Sequence, residues 1–205
     1  MKDRTHWLRG CAVMLVACAA AASACTALPS QRVTRTPAVD THDLMLDQAV
    51  SASGWELCAG PEPLPKRERG EAESLLVWFC PPGFDGVGGT HQEVYRYRSE
   101  LAATWAYNPE FLARELPRYN MTTPWAVPDE WSYQSPVADQ FTFACGEQDS
   151  ALFPTTVCVA VAQYDEYVSV LVTHPTRDNM TLEQVEGLLI AIDERMEFYL
   201  RKDTE

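Results

Sequence analysis

The side chains able to do chemistry in the body of this chain are three histidines, a surplus of carboxylates and several cysteines. His42, His91 and His174 are the histidines beyond the first forty residues. His91 precedes one β-like run and His174 follows another, so both are expected at sheet edges. There either can serve as a general base beside an acidic side chain. A hydrolase built on His91 or His174 is therefore the enzymatic reading. The chain contains no Gly-x-Ser-x-Gly elbow and no His-Glu-x-x-His pair. Histidines at a sheet edge are the plainer interpretation, and no catalytic residue is assigned.

Cation and phosphate chemistry is equally thin. Glu147 and Asp149 offer two nearby carboxylates, but the spacing and the distal glutamate of a calcium loop are missing. The densest glycine cluster, Gly83-Phe-Asp-Gly-Val-Gly-Gly89, matches neither a dinucleotide fingerprint nor a P-loop, and no lysine follows at phosphate spacing. It reads as a flexible hairpin loop of the kind that can carry recognition. No metal and no cofactor are expected.

The seven cysteines divide into three groups. Cys11 and Cys18 sit in an apolar run, Cys25 closes it, and Cys58, Cys80, Cys145 and Cys158 lie in the body. Cys145 ends one expected strand and Cys158 lies in the next, so this pair is the first choice for a disulfide. Cys58–Cys80 then follows by exclusion, although four cysteines allow three connectivities. A cross-link closing the shorter loop is worth about 3 kcal/mol in the chain-entropy model. Zinc is the competing use of four thiols. No Cys-x-x-Cys or paired histidines support it, and an exported chain meets an oxidising compartment.

Export is written at the start of the chain. Lys2, Arg4 and Arg9 precede the apolar run 11–24, which ends in Ala22-Ser23-Ala24. A basic region, a short apolar region and small closing residues make a secretory signal peptide. The apolar run is too short for a membrane span, which needs about 20 residues. Ala22-Ser23-Ala24-Cys25 also resembles a bacterial lipobox, with Ala22 where that motif favours leucine. The resemblance implies a signal peptide over 1–24, and Cys25 as the first mature residue and site of lipid attachment. Cysteine parity agrees, because lipidation of Cys25 leaves four thiols, which close as two pairs. Two acyl chains anchor a protein stably. Together with its arginine-rich, alanine- and proline-rich composition, the chain resembles a cell-envelope lipoprotein of a high-GC Gram-positive (actinobacterial-type) bacterium. That implies the outer face of the cell membrane, with the lipid as the membrane partner.

Removal of Lys2, Arg4, Arg9 and Asp3 with the leader leaves 13 basic and 28 acidic residues, a formal charge of −15. So acidic a chain lacks the basic footprint that nucleic acid requires. Basic partners, cations or simple solubility remain compatible with it. Aromatic residues offer a second route to binding. Trp105, Tyr107, Tyr119, Trp125, Trp131 and Tyr133 fall in one segment whose latter half is broken by prolines. Exposed loop aromatics stack on sugars or anchor a protein partner, and Trp125, Trp131 and Tyr133 form the candidate binding surface. Large aromatics more often plug a core beneath a long loop.

The elements that must position these residues follow from periodicity. Residues 25–39 are rich in Pro, Thr and Ser and read as a tether. One extracytoplasmic domain is expected over 40–205. A short helix is expected over 40–50, capped by Asp40. Short strands are expected at 54–58 and 75–80, with 60–74 an exposed loop between them. A strand to about Arg98 gives way to a helix opening at Ser99, and a second helix spans Asn108 to Leu116. Three strands follow at 139–145, 156–163 and 167–173, the last two joined by a tight turn at Asp165-Glu166. Thr181-Leu-Glu-Gln184 is a capping box, with Met180 and Val185 as a hydrophobic staple, opening a long C-terminal helix. Consecutive strands followed by a helix predict an α+β fold, an antiparallel β-sheet packed against that helix with one or two additional helices. The layout resembles small bacterial lipoproteins in which a curved sheet carries a C-terminal helix.

The function expected is that of a non-catalytic, membrane-anchored lipoprotein that binds a protein or a cell-envelope polymer. The alternatives are an envelope hydrolase using His91 or His174, and a carrier of a small apolar ligand held between helix and sheet.

Overall fold

The computed structural model describes residues 39–47, 55–65, 70–81, 89–107, 122–148, 155–175 and 180–201. The leader, Cys25, the glycine cluster before Gly89, Asp149 and the expected helix at 108–116 lie outside them. Ala38–Glu205 forms one compact unit.

Two apolar runs, 157–162 and 168–172, are too continuous for strands with a solvated face. They become the middle of a six-stranded sheet. Its strands are β1 (Glu56–Pro63), β2 (Glu71–Cys80), β3 (Thr90–Tyr97), β4 (Gln140–Gln148), β5 (Thr155–Tyr164) and β6 (Tyr167–Thr173). Their spatial order is β1-β2-β3-β6-β5-β4, and every neighbouring pair is antiparallel. Two three-stranded meanders therefore join along β3 and β6, with β6 buried throughout its length. Two helices accompany the sheet among the described residues: α1 (Glu100–Ala106) between β3 and β4, and α2 (Leu182–Arg201) after β6.

The period-2 alternation of the strands gives each face its own core. On one face, Leu75, Val77, Val94, Phe143, Ala160, Tyr164 and Leu171 join Val185, Leu189, Ile192 and Met196 of α2 in one buried cluster. On the other, Val157, Val159, Val161, Val168, Val170 and Val172 cluster with Tyr95, Tyr97 and, from the α1 region, Ala103, Ala106 and Tyr107. Local capping matches the sequence signals. Ser99 Oγ accepts from the Ala102 N–H at the start of α1. Before α2, Thr181 Oγ1 accepts from the Gln184 N–H while Gln184 Oε1 accepts from the Thr181 N–H.

Two expected elements differ. The helix expected over 40–50 is only a 3₁₀ turn, Thr41–Leu44, with Asp40 as its cap. Leu44, Met45 and Leu46 are all buried, and three consecutive helical residues point in three directions around the axis. The chain instead turns extended at Met45. Its polar groups are met by the sheet: Gln92 accepts from the Leu46 N–H at 2.7 Å and donates to the Leu44 carbonyl at 3.5 Å and to Ser169 Oγ at 3.2 Å. Tyr167 OH donates to the Val39 carbonyl at 2.8 Å.

The loop expected over 60–74 is mostly strand. β1 runs on to Pro63 and β2 opens at Glu71. Two of the prolines that signalled a loop, Pro61 and Pro63, sit on an outer edge strand, where no ladder partner needs their missing N–H. Gly60 permits this path. Its φ is +91°, and a Cβ there would lie 2.3 Å from the Leu76 carbonyl oxygen.

Candidate functional site

The outer edge of β4 shows how the irregular proline-rich segment is used. Cys145 stands directly opposite Cys158 in the β4–β5 register. Its own N–H and carbonyl turn away from β5 and exchange hydrogen bonds with Ala126 at 2.8 and 2.9 Å. In an antiparallel ladder such a residue belongs to the closely spaced, non-hydrogen-bonded pair. The Cα atoms of Cys145 and Cys158 are 4.0 Å apart, and the two side chains form a disulfide. Cys58 and Cys80 form the second, bridging β1 and β2 with Cα atoms 5.9 Å apart.

Segment 122–126 thus covers part of the β4 edge and fixes Glu147. The Thr122 N–H donates to the Glu147 carbonyl at 2.7 Å, and the Glu147 N–H donates to Thr123 Oγ1 at 2.8 Å. Thr156 Oγ1 then donates to Glu147 Oε1 at 2.8 Å. Beside this carboxylate lies an open cleft of about 520 Å³, floored by the Cys145–Cys158 disulfide and walled by Val127, Pro128, Pro175 and Leu182. Among the described residues, Glu130 and Glu147 are its charged lining residues. Glu147, expected in a loop, lies instead within β4, opposite Thr156. Glu130, Val127 and Leu182 were not legible as its companions, because they come from segments far apart in the chain and converge only through the β4 edge.

The aromatic residues divide sharply. Trp131 is 9% exposed and stacks on Phe143 with ring centroids 3.8 Å apart. It belongs to the core shared with α2, so the exposed face expected at Trp131 is not presented. Its anchor is local: the Trp131 N–H donates to the Pro128 carbonyl, and this turn swings the ring inward onto β4. Trp125 is half-buried against the valine face, and its Nε1 has no hydrogen-bond partner among the described residues. Tyr133 is half-buried, with its hydroxyl 2.6 Å from Asp193 Oδ2 on α2. Tyr107 bonds Thr142 at 2.7 Å, and Tyr119 lies outside the described residues. Trp105 is the exposed one, at 77%, with Leu101 one turn away at 68%.

Asp193 is a buried carboxylate shared by two tyrosines. Tyr164 OH donates to Oδ1 at 2.6 Å as Tyr133 OH donates to Oδ2. Burial first, and then the Asp193 charge and hydrogen bond, push both hydroxyls far above the usual tyrosine range.

The histidines occupy different surroundings. His42 is exposed in the 3₁₀ turn. His91 is buried, tilted over Trp78 with ring centroids 4.3 Å apart and its Nε2 3.9 Å from Glu93 Oε1. Tyr95 OH donates to the other Glu93 oxygen. His91 faces Val172 in the β3–β6 register, so His174 follows two residues further along the same face. His91 thus lies inside β3, one of the two central strands, and not at a sheet edge as expected, while His174 follows the end of β6. The fold sets His91 in a row of Glu93 and Tyr95 beside a wall of valines. Among the described residues, no group of three or more His, Cys, Asp or Glu side chains stands together as a metal site. No helix among them is long and apolar enough to cross a membrane. No protein-family model, curated protein or solved structure matches this chain.

Proposed function

We propose that this chain is an exported, lipid-anchored protein of the cell envelope whose folded body binds a protein or envelope component without catalysing a reaction. Cysteine usage carries the reading. The four body cysteines are consumed in two disulfides, as an oxidising compartment favours. Beyond the leader's own Cys11 and Cys18, that leaves Cys25, which follows Ala22-Ser23-Ala24 at the point where a lipobox places its modified residue. The α2 helix lies across one face of the sheet, a placement supported by the shared cluster of Leu171, Val185, Ile192 and Met196. Those side chains occupy the space that a carried apolar ligand would need. The valine wall beside His91 supports a structural use of that histidine over a hydrolytic one. The test is cross-linking of the full chain in its own membranes, followed by capture under denaturing conditions. A reproducible envelope partner is the expected result; hydrolysis of an envelope substrate, abolished by His91→Ala in a protein that still folds, would overturn the binding role.

A further inference from the structure

The cleft over the Cys145–Cys158 disulfide has the chemistry of a receptor for a basic side chain. Among the described residues its walls are apolar through Val127, Pro128, Pro175 and Leu182, and the charged side chains lining it are the carboxylates Glu130 and Glu147. Glu147 is held in place: its backbone is tied to Thr122 and Thr123, and Thr156 fixes one carboxylate oxygen. The disulfide pins the two strands that form the floor. A fixed acceptor on a rigid floor binds a cation without first having to be ordered. The formal charge of −13 on the chain discourages an anion and favours a cation. Lysine and arginine join an apolar stem to a charged head, which matches a cleft lined by both apolar side chains and carboxylates.

The cleft also opens to solvent, whereas pockets for small ligands enclose most of the ligand's surface. A group held from one side only needs a larger body behind it. We infer that this cleft receives a lysine or arginine side chain, flanked by apolar residues, from a partner polypeptide. The inference deepens the binding role proposed above and rests on it.

The experiment follows the amide resonances of the isotope-labelled full chain during titration with three probes. They are a blocked Ala-Val-Lys-Val-Ala peptide, the same peptide with methionine replacing lysine, and n-butylammonium. The lysine peptide should shift the amides of Val127, Gly146 and Thr156, and bind about two- to fivefold more tightly than the methionine peptide. Combining Glu130→Gln with Glu147→Gln should abolish that difference while leaving resonances elsewhere unmoved. Should the double variant unfold, Glu130→Gln alone, at an exposed side chain, should narrow the difference. Equal affinity of the two peptides, shifts centred elsewhere, or n-butylammonium binding as tightly as the lysine peptide would each overturn the inference. So would an envelope partner captured equally by wild type and the double variant, a result that leaves the binding role itself standing.

Discussion

Tyr164 on β5 and Asp193 on α2 meet at 2.6 Å, hydroxyl to carboxylate, with Asp193 almost wholly buried. A carboxylate so placed depends on its donors, because an unmet buried charge costs more than the hydrogen bond itself returns. Tyr164→Phe should therefore destabilise the protein by about 1–3 kcal/mol, read from urea unfolding. Pairing Tyr164→Phe with Asp193→Leu should recover part of that loss, since it removes the stranded acceptor. A double variant less stable than Tyr164→Phe alone would contradict this.

The same contact fixes a pH dependence. The pKa values of Tyr133 and Tyr164 are raised in the folded chain, while an unfolded tyrosine ionises near pH 10. The folded state thus keeps protons that the unfolded state releases. This contribution is complete below pH 10 and declines as pH rises above it. Thermal unfolding followed from pH 8 to pH 11 should show the melting temperature falling above pH 10. The fall should be shallower in a Tyr133→Phe, Tyr164→Phe variant.

Trp131 and Trp125 should behave oppositely. Removing the ring stacked on Phe143 should cost about 3–5 kcal/mol in Trp131→Ala, the range for a large buried aromatic. Trp125→Phe keeps an aromatic ring and deletes a buried N–H that has no acceptor among the described residues. It should change stability by less than about 1 kcal/mol in either direction. Equilibrium denaturation of the two variants checks both values.

The pattern of what was legible has a physical basis. The β5–β6 hairpin, the Ser99 cap, the Thr181–Gln184 box and the Cys145–Cys158 pairing rest on local periodicity and short-range bonding, and the structure contains each of them. The 40–50 segment was misread because its apolar spacing suits a helix, while its backbone is satisfied by Gln92, 46 residues away. Residues 60–74 were misread because proline and glycine signal loops, yet an edge strand tolerates both. The inward direction of the Trp131 ring depends on the turn at Pro128 and on Phe143 of β4, contacts that residue type alone does not encode. The cleft belongs to the same class, since its lining comes from well-separated stretches of chain.

Asp165 gives a prediction at acid pH. It sits in the β5–β6 turn at φ 49°, where asparagine is well tolerated. Burial, and then the nearby Asp139 carboxylate, raise its pKa. A raised carboxyl pKa means that the folded state is penalised once the group ionises, so the penalty is present at neutral pH and vanishes below the unfolded pKa. Asp165→Asn should stabilise the protein at pH 7, by an amount that solvent screening at this exposed turn keeps below about 0.5 kcal/mol, read from urea unfolding. The gain should disappear below about pH 4.

The anchor is the most direct test of the whole account. Cells expressing the full chain are grown with labelled palmitate, and the mature N-terminal peptide is weighed. The account predicts a labelled protein that begins at Cys25 with a diacylglyceryl group, and an unlabelled Cys25→Ser variant. Equal labelling of both, or a mature chain that begins elsewhere with Cys25 unmodified, would contradict it.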